Sequence, residues 1–504
     1  MSDNTHLRPH LTNPKLFLIV LILLAWSFRL ILVFHGGQLY WPDEMRYFRT
    51  WKLLYYISNG NIGEAVDALI PDSHGNGGFI FLSTVPAFFQ YGIIILKNLP
   101  LTLASVGDTG WVPALFLSTA SVTSIGLIYA VSRKKGASEI EGLLAAFLMT
   151  ISVSMLYYSR HLFSYDLAMA LGLLTLLLGL NQHWNIRQSV LCGLLAFSTF
   201  WVYNGYWSFA LTSLIFHTLS GKPPKRDMIK RGVISGFGFI LPIALLTLWT
   251  FYRGTTPFIT KLVRSSQVIT QGDFSEGWSL PWVYLWQAEH GLLFLWGIGI
   301  GIVLWLSFRD RSPAREQGLV WVGALTGIYL LLIFYSSVLE KMVVFGRLAR
   351  QMVPFLCLST SCGLTYFVER YWSKGKSWML IIFILILIQT MFNFSGPIYQ
   401  RFPTEVKDQI MANYGKTSHD LSIVGPMIEG KIDRGKSARY VLLNAQHLYP
   451  ILDSKIPPAG KVLLSFTHPL QYLPYQYEGH IPKERSILRS TDISMRLIDT
   501  ETPQ

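Results

Sequence analysis

The sequence predicts a mainly α-helical, polytopic membrane bundle of about eleven spans, followed by a small α/β domain facing water. Three observations predict it. Of the 504 residues, 51% are apolar and only 14% are charged, whereas a soluble globular protein carries roughly 25% charge; disorder is excluded and an ordinary soluble enzyme is disfavoured. Long apolar runs recur through the first 395 residues, and each crossing of the hydrocarbon core needs about 20 such residues. After Phe394 the pattern changes, with Pro397, Pro403, Pro450, Pro457, Pro458, Pro469, Pro474 and Pro482 punctuating short β-prone runs such as Tyr440 to Leu443 and Val462 to Phe466. Residues 1–395 are therefore expected to form the membrane domain and 396–504 an extracytoplasmic domain.

The first run, Leu16 to Phe34, follows a polar leader containing Arg8 and Lys15 and has no small-residue cleavage pattern after it, so it is expected to be a retained span. Further runs lie at 79–98, 112–131, 140–157, 167–180, 189–203, 206–219, 232–251, 286–307, 317–338, 351–368 and 378–395. One must be set aside. Cations cluster at Arg133 to Lys135, from Lys222 to Arg231, from Arg309 to Arg315 and from Arg370 to Lys376, and all of these should face the cytoplasm. They do so only if 79–98 lies along the interface, which suits the polar Gln90 and Tyr91 at its centre and Pro86 before them. The amino terminus is then cytoplasmic and the terminal domain extracytoplasmic. The stretch 189–219 is too long for one untilted span and is interrupted at Tyr203-Asn204-Gly205-Tyr206, so two short helices meeting at the outer face are expected.

The net charge of +13 resides in those loop clusters, the pattern of segments held against anionic lipid; membrane lipids are the expected partner and nucleic acid is not. Cys192, Cys357 and Cys362 all lie in apolar runs and read as small packing residues. No HExxH, CxxC, GxGxxG or P-loop spacing occurs, which disfavours a nucleotide-dependent enzyme and defines no metal site.

With this topology the outer face receives 35–111, 157–166, 203–206, 252–285 and 339–350, and the unusual acids and bases collect there. Trp41-Pro42-Asp43-Glu44 opens an amphipathic stretch with Met45, Phe48, Trp51 and Tyr55 at helical spacing, as in a helix lying in the interface. The acids fit helix-start chemistry, the commoner case, and alternatively a carboxylate fixed at headgroup depth as a general base. Arg160 and Asp166 sit in the hairpin 157–166, where Ser164 offers a cap, and ionisable residues at a membrane boundary are functional candidates. Lys341, Arg347 and Arg350 run against the charge bias of the outer face and ask for an anionic partner such as a lipid-linked phosphate, or else bind headgroups. His74, flanked by glycines, is a turn residue within reach of a headgroup.

In their order and shared side, these segments resemble the GT-C superfamily of integral membrane glycosyltransferases, in particular the branch of protein O-mannosyltransferases and the lipid A aminoarabinose transferase. The resemblance covers most of residues 16–395. It rests on Asp43-Glu44 followed by the amphipathic stretch Met45 to Ile57, on Ser159-Arg160 followed by Asp166, and on Arg350 followed by Pro354. Where the family often has a His-Pro-Pro-Leu or Lys-Pro-Pro-Leu element this chain has His74-Gly75-Asn76-Gly77, and the hinge that often carries a basic residue is Tyr203-Asn204-Gly205-Tyr206. The resemblance implies transfer of a sugar from a polyprenyl-phosphate donor to an acceptor hydroxyl of a protein, lipid or glycan, on the extracytoplasmic side of a bacterial inner membrane and with inversion. It further implies Asp43 as base with Glu44 beside it, Asp166 orienting a sugar hydroxyl or a cation, and Arg160, Lys341, Arg347 and Arg350 on the donor phosphate. His74, Tyr203 and Asn204 are candidate substrate contacts. No cofactor is required, although Asp43, Glu44 and Asp166 are able to bind a divalent metal. The alternative is a transporter or flippase of lipid-linked glycans, which would place its ionisable residues near the midplane and often show two related halves.

Overall fold

The computed structural model describes residues 13–34, 38, 42–70, 76–99, 109–181, 185–220, 224–268, 278–289, 291–309, 313–341 and 346–371, together with strand segments 421–424, 440–443, 461–465 and 495–499. Helix α1, Pro14–Phe34, is apolar all round and exposes most of its surface, burying only the stripe Ala25, Arg29, Leu32 and Val33. That pattern belongs to a helix bathed in lipid. A seven-residue 3-10 helix, Pro42–Phe48, leads into α2, Arg49–Ser58, so the amphipathic stretch begins more tightly wound than the expected α-helix. Short helices α3, Ile62–Ala68, and α4, Gly77–Leu82, precede α5, Thr84–Leu96. Helix α5 has 13 residues, about 20 Å, and only Ser83 separates it from α4.

The bundle continues with α6, Trp111–Lys134, then α7, Glu139–Ile151, and α8, Val153–Tyr157, which form a single run bent by 61°. The expected straight span at 140–157 is thus broken. Helix α9, Tyr165–Gly179, packs on α6 and on α10, Ile186–Val202; the 3-10 turn Asn204–Tyr206 then separates α10 from α11, Trp207–Leu219, as the interrupted run predicts. Helix α12, Lys225–Tyr252, lies mostly exposed along α10. After α13, Phe258–Val268, come α14, Leu280–Glu289, α15, Gly291–Arg309, and α16, Pro313–Ile333, continued by a π-helical turn at Phe334–Val338. Last among the described helices are α17, Gly346–Ala349, and α18, Val353–Tyr371, which is largely buried against α7, α15 and α16.

Six of these helices are long and apolar enough to cross a membrane, seven if the bent pair is one span, and α9 and α10 are apolar but shorter. The chain is a multi-pass membrane protein by these lengths and compositions. The expected run 378–395 lies outside the described residues. Beyond it, β1 Leu421–Val424, β2 Tyr440–Leu443, β3 Lys461–Ser465 and β4 Met495–Asp499 form one sheet in that order, parallel from β1 to β3 and antiparallel between β3 and β4. Parallel neighbours need crossover connections, and those residues, with the helical half of the expected α/β class, lie outside the described ones.

Helices α10 and α12 approach through glycines. A Cβ on Gly193 would lie 2.1 Å from the Ser235 carbonyl oxygen and 2.8 Å from the Gly238 Cα, whereas one on Gly236 would meet nothing within 4 Å. Gly193→Ala is therefore expected to lower the thermal midpoint of the detergent-solubilised protein by the equivalent of about 1–3 kcal/mol, while Gly236→Ala raises it slightly or leaves it unchanged. Equal midpoints for the two variants would refute this packing.

Candidate active site

The site begins with the break at Ser152, whose backbone turns extended (φ −64°, ψ 122°) between α7 and α8. A new helix start exposes N–H groups that need acceptors inside a dry bundle. Glu289 at the end of α14 supplies them. Val153 N and Ser154 N donate to its two carboxylate oxygens at 2.9 and 3.0 Å, and the hydroxyls of Ser152 and Ser154 donate at 2.7 and 2.5 Å. These four donors saturate the buried carboxylate. The bend turns the following chain inward, so that residues 151–169 are buried throughout and the 3-10 turn Tyr158–Arg160 lies inside the bundle. The expected hairpin 157–166 is buried along its whole length.

Within this segment Asp166, in the first turn of α9, meets Arg350 at the head of α18. Arg350 Nη2 donates to Asp166 Oδ1 at 2.5 Å and reaches Met155 Sδ at 3.5 Å, and the guanidinium carbon lies 4.6 Å from the centre of the Tyr158 ring. Both side chains are essentially inaccessible. Ser164, the expected cap, makes no side-chain cap hydrogen bond, so Asp166 is held by the cation rather than by a capping turn. Arg350 Nε and Nη1 have no hydrogen-bond partner among the described residues. A buried guanidinium with two unsatisfied donor nitrogens is suited to an additional anion.

Aromatic rings line the pair. Tyr158 and Tyr165 are 5.1 Å apart, Phe163 stacks on Tyr165 at 4.7 Å, Tyr165 meets Tyr203 at 4.7 Å, and Tyr203 meets Tyr206 at 5.4 Å. Arg347 is buried with its guanidinium 6.0 Å from the Tyr165 ring, and Arg160 is buried at the end of its turn. Gln351 fastens the hinge to α18: its Oε1 accepts from Ser208 Oγ at 2.8 Å and its Nε2 donates to the Gly205 carbonyl at 3.0 Å. Tyr203 therefore belongs to the aromatic wall, while Asn204 beside it is half-buried. Lys341, in contrast, is exposed and separates in environment from the buried arginines.

The first outer segment reaches this centre through Glu44. Its Oε1 accepts from Leu162 N at 2.6 Å and lies 3.4 Å from His161 Nδ1, all three groups buried. Glu44 thus clasps the turn leading to Asp166. The 3-10 helix is further anchored by Tyr47, whose hydroxyl donates to Gln90 Oε1 at 2.9 Å while Gln90 Nε2 donates to Thr109 Oγ1 at 3.1 Å. Burial raises the Tyr47 phenol well above its ordinary range, so it stays a donor. Asp43 lies on this 3-10 helix by its backbone; its side chain and the whole of His74 lie outside the described residues.

One residue escaped the sequence reading. Arg29 is fully buried in α1, with Nε donating to Ser121 Oγ at 2.9 Å and Nη1 to the Ala25 carbonyl at 3.0 Å. A lone arginine inside an otherwise apolar run was the available signal. No group of three or more His, Cys, Asp or Glu is placed to hold a metal among the described residues.

No family model and no curated protein matches this sequence. Among solved structures, the chain is similar to the archaeal oligosaccharyltransferase AglB from Archaeoglobus fulgidus in complex with an inhibitory peptide and a dolichol-phosphate, and to the Archaeoglobus fulgidus oligosaccharyltransferase tethered with an acceptor peptide containing the NVT sequon. Each has 12% identity and a TM-score of 0.44, over 75% of this chain and 55% of the other. The chain thus matches about half the length of those proteins, at a level that assigns it neither family nor activity.

Removing one member of the buried pair strands the other, which typically costs about 3–5 kcal/mol, whereas removing both leaves an apolar contact. Asp166→Asn is expected to destabilise the protein by that order, and adding Arg350→Met to recover a substantial part. A double variant no more stable than the sum of the single effects would show that the two charges do not interact.

Proposed function

We propose that this chain is a membrane glycosyltransferase that moves a sugar from a polyprenyl-phosphate donor to an acceptor hydroxyl on the extracytoplasmic side, with inversion. The observation that carries the reading is the buried Arg350, paired with Asp166 and keeping Nε and Nη1 without a hydrogen-bond partner among the described residues, beside a row of aromatic rings. Such a group binds a phosphate by charge and orientation together.

In this reading the acceptor oxygen attacks the anomeric carbon while the bond from that carbon to the phosphate oxygen breaks. The bonding pair leaves with polyprenyl phosphate, and the acceptor proton passes to the Asp43 carboxylate. The oxocarbenium-like transition state places growing negative charge on the phosphate, where Arg350, Arg347 and Arg160 act by electrostatic stabilisation. Asp166 is the positioning residue that fixes Arg350, and Glu44 positions the turn that carries Asp166. The cytoplasmic amino terminus, extracytoplasmic terminal domain and bacterial inner membrane belong to the same proposal, as do an acceptor among proteins, lipids and glycans and the absence of a required metal.

Purified full-length protein in nanodiscs, given radiolabelled polyprenyl-phosphate sugars and candidate acceptors, is expected to release polyprenyl phosphate. Asp43→Asn should reduce that release by about 10²-fold or more without changing the elution profile. Transfer unaffected by Asp43→Asn would remove Asp43 as base. Movement of intact donor across liposomes without bond cleavage would make the chain a transporter.

A further inference from the structure

Arg29 is unusual for its place. It lies on the single buried stripe of the first span, and no carboxylate pairs with it among the described residues. Two of its nitrogens are fixed by Ser121 Oγ and the Ala25 carbonyl, while Nη2 is buried without a hydrogen-bond partner among those residues. Ser121 Oγ is also 3.4 Å from the Met155 carbonyl oxygen, and Arg350 Nη2 is 3.5 Å from the sulfur of the same Met155. Two guanidiniums therefore approach Met155 along separate routes. Asp166 and Arg350 are both within electrostatic reach of Arg29.

Among the described residues of the candidate site, four buried arginines, Arg29, Arg160, Arg347 and Arg350, stand against three buried carboxylates, Glu44, Asp166 and Glu289. Asp166 is hydrogen-bonded to Arg350, Glu44 lies beside His161 and Glu289 caps Ser152 to Ser154, so none of the three is hydrogen-bonded to Arg29. A lipid-phosphate sugar is a phosphodiester with one negative charge; the lipid phosphate it releases is a monoester carrying about −1.5 to −2 at neutral pH. The extra charge appears as the sugar–oxygen bond breaks and its electron pair stays on the phosphate oxygen. A cation left over after the first pair has formed is matched to that second charge.

From this arrangement we infer that Arg29 is the second-charge sensor of the site: its free Nη2 favours a lipid phosphomonoester over a lipid phosphodiester and so stabilises the departing phosphate more than the bound donor. The inference rests on the transferase reading for its place in a reaction, but its binding consequence is separate from catalysis. Loss of Arg29 lowers kcat and leaves the donor KM nearly unchanged, because interactions stronger in the transition state than in the ground state act on kcat.

The test uses two probes differing by one methyl group, farnesyl phosphate and farnesyl methyl phosphate, titrated by calorimetry into the full-length protein in nanodiscs. The wild type is expected to bind the monoester roughly tenfold more tightly at pH 7.5, and Arg29→Gln to bring the two affinities within about threefold while diester binding holds. Monoester affinity of the wild type should also weaken as pH falls through about 6, where its second proton returns, with the diester reporting any titration of the protein's own groups such as His161. That measurement stands even if Arg29→Gln does not fold.

A wild-type preference that survives Arg29→Gln, an equal loss of both affinities, or a monoester-to-diester ratio insensitive to pH overturns the inference. If Arg29→Gln abolishes the preference but no sugar is ever transferred, Arg29 keeps its role and the transferase reading falls. Transfer that persists with the preference intact in Arg29→Gln does the reverse.

Discussion

The architecture turns on one requirement: a guanidinium and a carboxylate from chain positions 184 residues apart must meet where water does not follow. Neither charge is tolerable alone in a medium of low dielectric constant, so the start of α9 and the start of α18 have to come together before either helix is stable in place. Tyr158 covers the guanidinium face and Gln351 bolts the adjacent hinge to the same helix end. The pair also leaves donor capacity over, at Arg350 Nε and Nη1 among the described residues.

Around that pair the protein builds rigidity from three directions. Glu44 joins the first outer segment to the turn at 161–164, and the relay from Tyr47 through Gln90 to Thr109 fixes the same 3-10 helix against α5 and the approach to α6. Glu289 sets the direction of the chain that delivers Tyr158 and Arg160. Each of these contacts is buried and polar, so each is either satisfied or expensive, and the backbone carrying Asp43 is thereby held at a defined position.

Much of the bundle was legible in the sequence because span length and apolarity are properties of contiguous residues. The hinge at Tyr203–Tyr206 was visible for the same reason, as was the odd polarity of Gln90, which proves to be the middle of a relay. Asp166 and Arg350 stood out as charges at the ends of apolar runs. The bend at Ser152 was not legible: no proline or glycine marks it, and its cause is a carboxylate on a distant helix. Arg29 was lost by averaging over an apolar run, and Glu44 could not be told from an ordinary helix-start acid until its partner at Leu162 was in view.

The cap at Ser152 also bears on how the chain is made. Its acceptor is 137 residues further along, so when the segment around Ser152 leaves the ribosome the carboxylate that completes it does not yet exist. The early part of the bundle must therefore enter the lipid with an incomplete crossing, its amides served by water or by the insertion machinery. Only when α14 is delivered does that crossing acquire its final path. Vectorial synthesis thus leaves the segment from Val153 to Asp166 without its final path until late, long after its own residues have been made.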